Sequence, residues 1–153
     1  LAKKLGGDET VVLLGVYFMD VKLWQALQEK RLAEHVAMSA TAAKDFFATH
    51  QMDKEVEDKV INCIKAHHGQ VPFRSLEAEI CANADCYRFM HPKGFFGFLV
   101  DLGKRGDSVP DALNYAEKKL EEKHKILSLD ICKQELEGYY VALKQYIRDA
   151  RKF

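Results

Sequence analysis

From Asp53 to Gly69 apolar residues recur every three or four positions, and this stretch constrains the fold more than any other. Val56, Val60 and Cys63 form a stripe that arrives at His67, while Ile61 and Ile64 arrive at His68. That spacing places each set on one face of a helix. Asp53 can cap the first turn by accepting from backbone amides that have no helical partner, and Gly69 is a natural stop. The same period runs through Leu32, Val36, Ala40, Ala43 and Phe47, which predicts a helix over 32–49. "DETVVLLGVYFMD" at 8–20 opens on another candidate cap, Asp8, and has no turn signal before Asp20. Its β-branched valines make a short strand the alternative.

Helix also fits "SLEAEICANADCYRFM" at 75–90, with Ser75 supplying half a capping box. Pro92 ends that element and suits the first turn of the next. "GKRGDSVP" interrupts again, followed by helical segments over 114–127 and 130–150, either separate or one long kinked helix. Ile131, Leu136, Tyr139, Leu143 and Ile147 trace the apolar stripe of the last segment. The expectation is an all-α chain forming a single domain over 1–153, with 111–153 as its C-terminal helical part. No repeat or long linker divides it.

Length supports one domain, since 153 residues can bury roughly two-thirds of their extended surface. Lysine plus arginine and aspartate plus glutamate each number 23. No global field therefore recruits nucleic acid or an anionic membrane, and neither is the expected partner. Four cysteines occur singly, without a C-x-x-C pair or a disulfide framework, which fits a reducing, cytoplasmic setting. The longest uncharged apolar run falls short of a membrane span, and no signal-peptide pattern opens the chain.

Candidate chemistry lies at a few polar residues on apolar faces. Asp20 ends the uncharged run "VVLLGVYFM". Asp85 shares a helical side with Ala78, Cys81, Ala82 and Phe89. A carboxylate buried there needs hydrogen bonds, a cation or a proton, and Arg88 one turn on is the structural partner to weigh against a functional role. His67 and His68 end their helix, either as half-buried caps or as part of a site. His35 stands at a boundary beside Val36, while His50, His91 and His124 sit beside breaks or among charges. In "FMHPKGFFGFLVDLG" the phenylalanines read first as core, with Lys93 available to attract phosphate. No G-x-G-x-x-G, Walker A or H-E-x-x-H motif is present.

Taken in order, "YFMD" at 17–20, "AEHVAMSA" at 33–40, "INCIKAHHG" at 61–69 and "ICANADCYRFM" at 80–90 resemble the HD-domain superfamily of metal-dependent phosphohydrolases, especially its small single-domain bacterial members. The similarity extends from about residue 4 to 103, and the charged tail looks like the family's C-terminal helical pair. The resemblance implies a compact HD-like helical bundle. It further implies that Asp20, Asp85, His67 and His68 hold a divalent ion of magnesium, manganese or iron, and that Asp20, His35 and His67 carry the catalysis. His35, His68, Arg88 and Lys93 would then contact a small phosphorylated substrate.

The chain departs from the family pattern at Met19, which replaces the histidine of the His-Asp pair. A still earlier family histidine has no counterpart in this sequence. A thioether is a soft, weak ligand for such ions, so metal binding is expected to be weak. Two functions follow: hydrolysis of a nucleotide or other small phosphorylated compound, or a related pocket that binds a small ligand without catalysis. A plain helical interaction protein is the third alternative, and a homo-oligomer is left open.

Overall fold

The carboxylate of Asp8 accepts from the amides of Thr10 and Val11 at 2.8 and 3.1 Å, satisfying two donors that the first helical turn leaves open. In the computed structural model, which describes residues 1–152, this cap starts α2 (Glu9–Met19), preceded by the short α1 (Ala2–Leu5). The valine-rich run is therefore helix, because a capped start and tertiary packing outweigh the small penalty of β-branching. After a turn at 20–22 come α3 (Leu23–Gln28), one 3₁₀ turn (Leu32–Glu34), α4 (His35–Thr49) and α5 (Lys54–Ala66). Then follow α6 (Leu76–Met90), α7 (Pro92–Lys104), α8 (Val109–Ile126) and α9 (Asp130–Ala150). No strand occurs among the described residues, and the all-α expectation holds.

The chain divides into two compact units, Leu1–Ala82 and the part from Asn83 onward, with the division falling inside the sequence of α6. In the first unit α2 and α4 pack on α5 around Val11, Phe18, Ala43, Phe47, Val60 and Ile64. Gly15 permits that approach. A Cβ there would stand 2.7 Å from Cys63 Cβ and 2.8 Å from Cys81 Sγ, closer than real side chains come. Asp53 caps α5 through the Glu55 and Val56 amides at 2.9 and 3.2 Å, and Gly69 ends the segment at φ 69°, a left-handed backbone that glycine adopts at little cost. Asn62 then ties down the following loop, donating to the Pro72 carbonyl and accepting from the Arg74 amide.

In the second unit Asn83 holds the α8–α9 turn. Its carbonyl accepts from the Ser128 and Leu129 amides at 3.0 and 3.1 Å, and its amide donates to Ser128 Oγ at 2.8 Å. The last two helical segments are thus separate helices. The first begins at Val109, five residues before the expected start. Ser108 is its cap and Pro110 sits in its first turn, so "SVP" is the opening of a helix and not a break before one. The stripe of α9 is also shifted: Cys132, Leu136, Leu143 and Ile147 are buried, whereas Tyr139 is exposed and Ile131 only partly covered. Phe89, Phe95 and Phe98 are core, as their spacing suggests, and Phe96 is not.

Residues Glu9–Gln28 have the length and mean hydropathy, 1.4, of a membrane-crossing segment. Here they form two helices separated by the turn at 20–22, with Val11, Gly15, Phe18 and Met19 buried in the first.

Candidate metal centre

His35 opens α4, His67 and His68 follow the last turn of α5, and Asp20 closes α2. Packing of α2 and α4 against α5 brings these three helix ends together. One ring nitrogen from each of His35, His67 and His68 lies within 4.8 Å of the others. Asp20 Oδ1 stands 3.5 Å from His35 Nε2 and 3.8 Å from His67 Nε2, and the Nε2 atoms of His35 and His68 are 3.1 Å apart. Donors bound at about 2.0–2.2 Å to one ion sit roughly 3–3.5 Å from each other. The 3.1, 3.5 and 3.8 Å separations are near that, while the three rings as a set spread over up to 4.8 Å, and the carboxylate stands at or beyond the usual span of a direct hydrogen bond.

The backbone fixes which nitrogen faces the cluster. His35 Nδ1 is 2.7 Å from the Leu32 carbonyl and His67 Nδ1 is 2.7 Å from the Ile64 carbonyl. A carbonyl only accepts, so in both rings the proton sits on Nδ1 and the lone pair of the neutral ring is on Nε2. This is the arrangement by which metal-binding histidines are commonly oriented, the outer nitrogen donating to a carbonyl. His68 Nε2 then carries the hydrogen that bridges to His35 Nε2. For His68 to offer that lone pair elsewhere, its proton must leave or move to Nδ1. His67 is fully buried, whereas His35, His68 and Asp20 are partly accessible, so the cluster has a closed floor and an open side.

Of the residues singled out in the sequence, Asp20, His35, His67 and His68 are gathered at this point. Asp85 belongs to the second unit and is placed differently. Its Oδ2 is 2.6 Å from Lys123 Nζ, and both side chains are buried. The structural ion pair weighed for Asp85 is thus present, but with Lys123 in place of Arg88, whose side chain is exposed and lies against the Phe89 ring. Lys123 is hidden in the sequence because it sits in a run of charges, "EKKLEEKHK", that reads as a solvated face. Its one distinguishing mark is the helical register that it shares with Ala112, Ala116 and Leu120, all buried.

Arg88 and Lys93 line one concavity of about 620 Å³ in the second unit, together with Tyr87, His91, Asp101 and Glu135. The first unit has another of about 630 Å³, where Lys44, Lys65 and Arg74 face Glu55 and Asp58. Met19 is buried in the apolar core. The remaining histidines have local roles: His50 Nδ1 meets the Phe46 carbonyl, the His91 ring accepts from the Lys93 amide, and His124 stacks on Tyr140. All four thiols are buried, and burial pushes Cys86 up to about 12, which leaves no ready thiolate nucleophile there. No family model, curated protein or solved structure matches the chain.

Proposed function

We propose that the first unit binds a divalent transition metal through His35, His67, His68 and Asp20 and uses it to hydrolyse a small phosphorylated compound, in the manner of the HD-domain phosphohydrolases that the sequence resembles. The observation that carries this reading is the convergence of three imidazoles on one carboxylate, two of them with Nδ1 anchored on backbone carbonyls. Imidazole-rich donors suit iron, manganese or zinc better than magnesium, which prefers oxygen and retains its waters. An ion held there would supply charge stabilisation for a phosphoryl group and a nucleophilic water at neutral pH.

The protein's own residues have separable tasks. The Leu32 and Ile64 carbonyls hold His35 and His67 in the tautomer that presents Nε2. Asp20 supplies the negative charge of the donor set. His68, on the accessible side, is the third imidazole of the set and offers its Nε2 lone pair once its proton has moved to Nδ1. Burial of Met19 among apolar side chains favours the second reading, a pocket that binds a phosphorylated ligand without hydrolysing it.

The test is hydrolysis of a panel of nucleotides and sugar phosphates by metal-stripped protein reloaded with manganese, ferrous or zinc ion, beside His68→Gln and Asp20→Asn. Metal-dependent turnover lost in both variants supports hydrolysis. Ligand binding with no turnover under any metal selects the binding protein. Turnover unchanged by both substitutions would remove the cluster from the chemistry.

A further inference from the structure

We infer that the outer face of α2 is the contact surface between two copies of this chain. The inner face of α2 is core, but its outer face is apolar as well. Leu13 is 67% exposed, Tyr17 73% and Val16 39%, and beyond the turn Val21 and Trp24 are also exposed, at 44% and 64%. Residues 13, 16 and 17 share one side of the helix by their three- and four-residue spacing. No charged residue stands between Glu9 and Asp20, so two such faces can close on each other without burying a charge. Helices that are apolar on all sides are ordinarily covered on all sides.

The size of the patch selects the occupant. Aromatic side chains cover about 150–250 Å² each, so these five residues present on the order of 600 Å². That is at the upper end of the largest apolar patch on a typical monomer. Doubled by a two-fold axis it approaches roughly 1,200 Å², about the smallest area of a specific, stable interface. The chain's zero formal net charge adds no long-range repulsion between copies. The expected dimer is accordingly modest, dissociating in the micromolar range. Asp20 closes the same helix three residues after Tyr17, so the second copy would stand beside the open side of the histidine cluster. The inference itself does not rest on any metal there.

Trp24 is the only tryptophan and reports the surface directly. Sedimentation and light scattering of the full chain across nanomolar to high-micromolar concentration, read beside its emission, make the test. The expected result is a mass that doubles with concentration, a blue shift of Trp24 over the same range, and at least tenfold weaker association in Leu13→Glu and in Tyr17→Glu with helical content retained. A monomer throughout the range, a dimer indifferent to both substitutions, or a monomer whose Trp24 shifts only on adding phosphatidylcholine vesicles would each overturn the proposal. The emission series uses the unaltered chain, so it decides even where a substitution harms folding.

Discussion

Asp20 and Asp85 look alike in the sequence, each an acid at an apolar helical position, yet the structure gives them opposite surroundings. Asp85 meets a buried ammonium at 2.6 Å, an internal countercharge that neutralises it inside the second unit. Asp20 meets imidazoles at 3.5 and 3.8 Å on the partly open side of the first. A neutral imidazole brings a lone pair and no fixed positive charge, unlike the ammonium beside Asp85. An acid's function is thus set by what its neighbours donate, and spacing along the helix does not report it.

The sharpest way to break the comparison is to remove the countercharge. Lys123→Ala leaves Asp85 buried against nothing, and the loss is expected to be about 3–5 kcal/mol in thermal or urea unfolding. Adding Asp85→Leu to Lys123→Met should restore most of it, because a well-packed apolar pair avoids the desolvation of both ions. A double variant no more stable than Lys123→Ala would mean that the pair is required for reasons other than charge balance.

Gly15→Ala probes the packing that assembles the first unit. Its added methyl would meet Cys63 and Cys81 well inside contact distance, with an expected cost of about 1–3 kcal/mol in urea unfolding. Met19→His asks whether position 19 can supply a ligand. Since Met19 is buried in the apolar core, the imidazole is expected to cost about 1–3 kcal/mol as an unsatisfied polar group and to leave metal affinity unchanged. Tighter binding by calorimetry in that variant would show that position 19 faces the ion.

The smallest effect concerns pH. A hydrogen bond from the Asp8 amide to Glu77, at 2.9 Å, holds that carboxyl below its ordinary range. A lowered native pKa contributes stability that is present above the unfolded carboxyl's pKa and lost as pH falls through the native one. Glu77→Gln should therefore lower stability slightly at neutral pH, leave it unchanged below the native carboxyl's pKa, and so flatten the acid limb of a stability-versus-pH curve.

Local signals made much of this legible beforehand. Asp8 and Asp53 announced their helices because a cap is a short-range device, and Gly69 and Pro92 marked ends for the same reason. His35, His67, His68 and Asp20 stand out as an ordered set through the family resemblance. What stayed hidden was long-range or a matter of phase. Lys123 is 38 positions from Asp85 and is camouflaged by charged neighbours. The stripe of α9 was traced through Ile131 and Tyr139 because those residues are apolar, yet the buried set is Cys132, Leu136, Leu143 and Ile147. The start of α8 is not legible because Ser108 and Pro110 signal both a break and a helix opening, and only the hydrogen bond from the Asp111 amide to Ser108 Oγ decides between them.

Whether Asp20, unlike Asp85, helps to hold a metal ion is decided by titrating manganese and zinc into metal-stripped protein by calorimetry, with Asp20→Asn and Asp85→Asn side by side and both verified as folded. The account predicts one bound ion in the unaltered chain, at least tenfold weaker binding in Asp20→Asn, and unchanged affinity in Asp85→Asn. Equal losses in the two variants, or no ion bound by the unaltered chain, would contradict it.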